Sequence, residues 1–108
     1  MAKTIDIEYK GAKYELCFTR EAVAFLERNG FDANDIVRKP ITAVPLLFRG
    51  AFIAKHRDVD ESTVDAIFTA LPNKVSLVKK LLEAYNEPLE TLLAEPEAEG
   101  NASWGAGW

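Results

Sequence analysis

The twelve residues 43–54 read AVPLLFRGAFIA, and they decide how the rest of the chain is arranged. Only Pro45, Arg49 and Gly50 in this run lie outside the hydrophobic set. A helix that is apolar on nearly all sides lies either at the centre of a core or against another subunit. We predict a helix over residues 43–56, in which Gly50 permits a close helix crossing. Both a fully buried helix and one partly exposed to a partner fit this pattern.

The residues before this helix alternate in the way that is typical of β-strands. Two short runs of alternating apolar and polar side chains flank Lys10-Gly11-Ala12-Lys13. This period of two around a glycine-containing turn predicts a β-hairpin over residues 4–18. A helix over 20–29 follows, because Thr19 suits an N-cap and Gly30 suits the left-handed position that ends a helix. The connector from Asp32 to Pro40 has room for one helical turn.

The residues after the central run predict two more helices, over 61–71 and 74–94. Asp60 or Ser62 can cap the first, and Asn73 can cap the second. Pro88 predicts a kink or a restart within the second helix. One face of that helix is predicted to carry Val75, Val78, Leu81, Leu82 and Tyr85. The fold class is therefore α+β, mostly α: one domain over 1–94, with an N-terminal β-hairpin followed by four or five helices.

Composition limits the chemistry that this chain can perform. With 108 residues, one Cys and one His, it has no disulfide framework, no multi-cysteine zinc site and no site that needs two histidines. None of its glycines forms a phosphate-binding loop. Cys17 is expected to be a semi-buried strand residue, and His56 a solvated side chain at a helix end. We predict no catalytic site, no metal site and no cofactor site. A small enzyme that uses Cys17 or His56 is a lesser alternative.

The last fourteen residues, 95–108, differ in composition from the rest of the chain. They hold three Glu, no Lys or Arg, and both tryptophans, Trp104 and Trp108. This segment has no periodicity and predicts a flexible C-terminal tail. It carries most of the formal net charge of −4, so residues 1–94 are nearly neutral.

Charge and hydropathy also indicate where the protein acts. The first residues have no apolar stretch for a signal peptide, and the run 43–54 is too short to span a bilayer. We expect a cytoplasmic protein with no membrane partner. The acidic balance argues weakly against a nucleic-acid partner. A small helical DNA-binding regulator is the main alternative, because a helix–turn–helix surrounds Leu71-Pro72-Asn73 and Lys74 follows it.

Two groups of apolar side chains are candidates for partner binding. The central helix points large side chains in several directions, and an uncovered apolar patch marks a partner or self-association. Tryptophan is enriched at interfaces, which adds the tail pair to the candidates. The candidate residues are Leu46, Leu47, Phe48, Phe52, Ile53, Trp104 and Trp108.

Five segments in a fixed order resemble one family of phage proteins. Over residues 14–108 the chain resembles the tail assembly chaperones of long non-contractile-tailed phages and prophages of Gram-positive bacteria. No single motif carries this resemblance, which lies in the order and spacing of the segments. They are Phe18-Thr19-Arg20, Pro45-Leu46-Leu47-Phe48 with Gly50-Ala51-Phe52, Leu71-Pro72-Asn73-Lys74, Tyr85-Asn86-Glu87-Pro88-Leu89, and the tail Glu99-Gly100-Asn101-Ala102-Ser103-Trp104.

The resemblance implies a non-enzymatic role in tail morphogenesis. Such chaperones bind the tape measure protein in the host cytoplasm, keep it soluble, and are absent from the mature virion. Many also occur in a longer form, made by ribosomal frameshifting, whose extension recruits tail tube protein. We expect self-association and a groove of Leu46, Leu47, Phe48 and Phe52 for amphipathic helices. On this expectation, Phe52→Asp abolishes solubilisation of the tape measure protein and leaves the domain folded.

Overall fold

A computed structural model describes residues 3–94 and 104–107 of the chain. Within these residues the fold is α+β and mostly α, as predicted: a two-stranded antiparallel hairpin followed by five helices. The elements are β1 (Ile5–Tyr9), β2 (Ala12–Leu16), α1 (Arg20–Arg28), α2 (Asp35–Arg38), α3 (Pro40–Gly50), α4 (Glu61–Ala70) and α5 (Lys74–Leu92).

The hairpin turn follows directly from its two central residues. Lys10 and Gly11 have φ angles of 49° and 81°, and two consecutive positive φ angles define the turn that matches strand twist. The turn fixes the register, so that Ile7 pairs with Tyr14 and Ile5 with Leu16. Ile7 and Leu16 are buried, because this register places one face of the hairpin on the core.

Helix α1 has the two ends that the sequence predicts. The Thr19 hydroxyl accepts a hydrogen bond of 3.1 Å from the Ala22 amide. At the other end, Gly30 has a φ of 81° and its amide donates to the Glu27 carbonyl. The Phe31 amide donates to the Leu26 carbonyl at 2.9 Å, which completes a Schellman motif. Phe31 and Leu26 are both buried, so this helix end also anchors the chain in the core.

Helix α3 begins and ends earlier than the predicted helix over 43–56. It starts at Pro40, whose fixed φ suits a first helical position and whose missing amide costs nothing there. Pro45 therefore lies in the second turn rather than the first. After Gly50 the amides of Phe52 and Ile53 donate three residues back, so the chain continues as tight turns.

Gly50 brings α1 and α3 into close contact, as its position in the sequence suggested. A Cβ atom at this position would lie 2.8 Å from the Leu26 side chain, well inside van der Waals distance. Leu26 is fully buried and has no room to move aside. Glycine is therefore required here for space, and the crossing places α3 at the centre of the fold.

Of the last two helices, only α4 begins with a side-chain cap. Asp60 caps α4, since its carboxylate accepts from the Thr63 amide at 2.8 Å. Asn73 precedes α5 with a left-handed φ of 55° but makes no side-chain cap, which differs from the prediction. Helix α5 runs without a break through Pro88, so no new helix starts there.

The core surrounds α3 and draws on both strands and on all of the longer helices. Helix α3 contacts α1, α2, α4 and α5. The largest fully buried side chains are Leu16, Leu26, Leu47, Phe48, Ile67 and Leu81. Of the predicted tail, residues 95–103 and Trp108 lie outside the described residues.

Candidate functional site

An open apolar groove lies on the surface between α5 and the helices α2, α3 and α4. It has a volume of about 340 Å³. One apolar side chain comes from each of α2, α3 and α4, and α5 supplies the rest from its first half. We call this feature the α5 groove; its lining is Ile36, Val44, Phe68, Lys74, Val75, Val78, Lys79 and Leu82.

The groove exists because α5 has two apolar faces, and the described residues cover only one of them. Leu81, Ala84 and Tyr85 are buried against the core. Val75 and Val78 are turned by about 60–120° from Leu81 around the helix axis. Val75 is 75% exposed, and Val78 is half-buried. The uncovered face is thus a second stripe at helical spacing, which has no partner within the described residues.

The charge around the groove is positive. Lys74 and Lys79 line it, and among the described residues no Asp or Glu does. The Lys74 ammonium donates to the Leu71 carbonyl at 2.6 Å and to the Thr69 carbonyl at 3.1 Å, and it lies 5.7 Å from the centre of the Phe68 ring. Lys74 therefore provides hydrogen bonds to the carbonyl groups at the C-terminal end of α4. Lys79 is exposed at the rim of the groove.

Apolar side chains continue beyond the groove on the neighbouring elements. Val37 in α2 and Ile41 in α3 are 86% and 90% exposed. Ile41 lines a separate recess of about 280 Å³, which also contains Arg49 and Asp65 and shares Phe68 with the groove. Arg49 closes that recess through two hydrogen bonds to the Asp65 carboxylate, of 3.2 Å and 2.8 Å. The recess is therefore mixed in polarity, whereas the groove is apolar with a basic rim.

The candidate residues from the central helix are placed differently from the predicted groove. Leu47 and Phe48 are fully buried, and Phe52 is 2% exposed. Leu46 and Ile53 are half-buried and pack on the core. The run 43–54 thus takes the buried arrangement, because the hairpin and four helices cover it, and no groove opens along it. Trp104 is exposed, and Trp108 lies outside the described residues.

Cys17 lies in a setting that favours the neutral thiol. It is buried at the end of the hairpin, and its amide donates to the Ala51 carbonyl. Burial raises the pKa of the thiol, with the nearby Glu15 and Glu87 acting in the same direction and Lys55 opposing them. Because the thiolate is the reactive form, this setting suits a structural residue.

His56 is not the solvated residue that the sequence indicated. Its Nε2 atom accepts a hydrogen bond of 3.0 Å from the Glu15 amide, and its ring meets the edge of Tyr14. The side chain is half-buried, and it ties the outer edge of β2 to the turns that follow α3. The nitrogen that would serve as a base is thus already an acceptor for the backbone.

Neither metal binding nor a membrane span is indicated for the parts of the chain that the structure covers. Across residues 3–94 and 104–107, no group of three His, Cys, Asp or Glu side chains is placed to hold a metal ion. Over the same ranges, no helix combines the length and the apolar character that crossing a bilayer requires.

The sequence contained the apolar residues of the α5 groove, but their pattern could not be distinguished from that of the residues that face the core. Val75, Val78 and Leu82 were assigned to one face together with Leu81 and Tyr85. With Leu77 and Ala84 included, apolar positions span about half of the helix circumference, more than one neighbour usually covers. Ile36 fell in the connector, where no periodicity marked it. Only the packing of α2, α4 and α5 on α3 joins these residues into one surface.

The comparisons with known proteins give a family for this chain. A family model described as "Domain of unknown function (DUF5055)" matches residues 1–108. No curated protein and no solved structure matches the chain.

Proposed function

The chain belongs to the DUF5055 family, and we propose that it is a phage tail assembly chaperone whose α5 groove binds the tape measure protein. In this proposal the groove accepts amphipathic helices of the tape measure protein and keeps them from aggregating before the tail tube forms around them. The observation that carries the proposal is the open apolar groove with its basic rim.

The shape of the groove suits a helix that lies alongside α5. From Val75 to Leu82 its floor runs for about 10 Å along the α5 axis, which corresponds to about two turns of a bound helix. A helix of this length presents apolar side chains at positions i, i+3, i+4 and i+7 to such a groove. Lys74 and Lys79 would favour acidic side chains beside that stripe.

The positions in the fold of two segments that resemble the chaperone family also support the proposal. Gly50-Ala51-Phe52 supplies the close helix crossing and part of the core. Leu71-Pro72-Asn73-Lys74 forms the turn at one end of the groove and contributes Lys74 to its rim. These segments thus build the scaffold on which the groove depends, which suits a role in binding rather than in catalysis.

Co-expression with the tape measure protein tests the proposal. Val75→Asp places a carboxylate in the groove at an exposed position, so the domain should fold and the tape measure protein should move to the insoluble fraction. Ile41→Asp is the matched control, because it changes an exposed β-branched residue outside the groove. A folded Val75→Asp chain that keeps the tape measure protein soluble as well as the wild type does would contradict the proposal.

The same proposal includes self-association and a longer frameshifted form that recruits tail tube protein. Glu99-Gly100-Asn101 can be encoded as GAG-GGA-AAC or GAG-GGA-AAU, and both contain a slippery heptamer, GGGAAAC or GGGAAAU. We expect one of these heptamers in the coding sequence. Other codons at these positions, with no other slippery run nearby, would remove this part of the proposal.

The proposed site of action is the host cytoplasm, before the virion is complete. Mass spectrometry of purified virions is expected to detect the tail tube and tape measure proteins but not this chain. Detection of the chain in stoichiometric amounts would instead indicate a structural tail protein.

A further inference from the structure

The apolar outer side of α5 continues beyond the α5 groove to the end of the helix. Leu89 and Leu93 are turned by about 80° and 120° from Leu81 around the helix axis, which is the side on which Val75 lies. Leu89 is 38% exposed, and Leu93, the residue that ends the helix, is 86% exposed. One side of α5 therefore carries an open groove at its beginning and uncovered leucines at its end.

The charges along α5 are divided in the same way. From residue 74 to residue 82 the sequence has three Lys and no Asp or Glu, and from 83 to 92 it has three Glu and no Lys or Arg. Lys74 thus lies in the first turn and Glu90 in the last turn, which is the reverse of the arrangement that a helix dipole favours. This polarity opposes the dipole of α5 itself, and it complements a second α5 that runs in the opposite direction.

We propose that two copies of the chain form a two-fold dimer through antiparallel α5 helices, in which each copy places the end of its α5 in the α5 groove of the other. The inference rests on the self-association that the proposed function includes, and it gives that self-association a surface. Leucines at positions 89, 92 and 93, with Glu90 among them, match a groove that has an apolar floor and two lysines. The dimer covers the groove until the tape measure protein replaces the second copy.

The spacing of the apolar residues fits this antiparallel pairing. When Val78 lies opposite Leu89 of the second copy, Val75 lies opposite Leu92 of that copy, because both helices advance by three residues. Leu92 is 53% exposed in the single chain and so has surface to bury. A two-fold axis repeats every contact, and the paired residues from 75 to 92 extend over about 26 Å of each helix. The same surface on both copies therefore forms a closed dimer.

Charge selects the antiparallel direction over the parallel one. Lys79 and Glu90 flank the apolar stripe on the same side, at about 160° and 180° from Leu81. In the antiparallel pairing Lys79 lies opposite residue 88 of the second copy, only about 3 Å along the axis from Glu90 of that copy. The two-fold axis makes this ion pair twice. A parallel pairing would instead place Lys79 beside Lys79 and Glu90 beside Glu90.

Sedimentation equilibrium of the full-length chain alone tests the dimer. We expect the mass to approach twice 12.0 kDa as the concentration rises. Glu90→Lys should weaken the dimer by about tenfold or more, because two ion pairs become two repulsions, and Lys79→Glu should do the same. The double variant Lys79→Glu/Glu90→Lys should recover the wild-type dissociation constant. Lys80→Glu is the matched control, since Lys80 is exposed on the opposite side of α5 and should leave the dimer unchanged.

Three results would overturn the proposal. They are a wild type that is still monomeric at about 0.1 mM, a Glu90→Lys chain that dimerises as tightly as the wild type, and a double variant that stays as weak as the single ones. Circular dichroism verifies folding, which Glu90→Lys should preserve because a cation suits the last turn of a helix. Glu90 lies outside the lining of the α5 groove, so this variant should still keep the tape measure protein soluble. Failure of the dimer is therefore distinguishable from failure of the proposed function.

Discussion

Helices α3 and α5 are both rich in apolar residues, yet they have opposite relations to solvent. Helix α3 is the more apolar, and its large side chains Leu47 and Phe48 are buried by the elements around it. Helix α5 is more polar, but Val75 on its outer face is 75% exposed. Apolar content alone therefore does not identify a binding surface. A candidate surface is marked instead by an apolar face that the other described residues leave uncovered.

Replacing Phe52 by Asp is the strongest way to test the buried side of this comparison, because Phe52 lies in the turns that follow α3 and packs on Phe48 of that helix. Phe52 packs against Phe48, with ring centres 5.2 Å apart, and a carboxylate there would lose the aromatic packing and enter an apolar site. We expect a loss of about 4 kcal/mol or more in the free energy of unfolding, measured by urea denaturation. A folded Phe52→Asp chain of near-native stability would show that this part of the central run is not core.

Gly50→Ala tests the close crossing between α1 and α3. The added methyl group would lie 2.8 Å from the Leu26 side chain, which is fully buried and cannot turn away. We expect a loss of about 1–3 kcal/mol in the free energy of unfolding, as for other overpacked cores. Gly30→Ala is not a suitable control, because its φ of 81° adds backbone strain. Ala66→Ser, at an exposed position of α4, is suitable and should change stability by less than about 0.5 kcal/mol.

The pH dependence of stability tests the burial of Cys17 beside the end of α3. Burial raises the pKa of this thiol in the folded chain, so folding favours the protonated form. The resulting stabilisation is present below the pKa of the unfolded thiol and is lost as the pH rises through the folded pKa. We expect the urea concentration at the unfolding midpoint of the wild type to decrease as the pH is raised from neutral to alkaline.

Cys17→Ala isolates this effect from other groups that titrate at alkaline pH, such as Tyr85, whose pKa is also raised by burial. The fall in the urea midpoint should be smaller in the variant than in the wild type. Equal falls in the two proteins would show that Cys17 is accessible to water in the folded chain.

Val75→Asp tests the exposed side of the comparison and should have the smallest effect on folding. Because Val75 is mostly exposed, we expect a change of less than about 0.5 kcal/mol in the free energy of unfolding. The same substitution should abolish binding at the α5 groove. A large loss of stability would place Val75 in the core and remove the contrast with Phe52.

Much of the fold could be predicted from local chemistry in the sequence. The Thr19 cap and the glycine end of α1 at Gly30 are properties of a few adjacent residues, and both are confirmed. The position of Gly50 at a helix crossing is confirmed for the same reason, since a glycine in an apolar run indicates close contact. The ends of α3 and the cap of α5 were less predictable. The start of α3 is set by Pro40, which precedes the predicted first residue, and α5 begins after Asn73 without a side-chain cap.

The candidate site could not be predicted, because it depends on which faces pack together. The sequence indicated apolar stripes, but it did not show that four helices would cover α3 while α5 would keep a face open. The half-buried position of His56 could not be predicted for the same reason, because it depends on tertiary packing. Its partner is the amide of Glu15, forty-one residues away, and only the tertiary fold brings the two together.

Site-specific photo-crosslinking tests most directly whether the α5 groove, rather than α3, binds the partner. A benzoylphenylalanine at position 75, inside the groove, is compared with one at position 41, exposed but outside it. Each variant is co-expressed with the tape measure protein and irradiated. We expect adducts with the tape measure protein from position 75 and few or none from position 41. Adducts from position 41 alone, or a complex that forms with no adduct at position 75, would contradict this expectation.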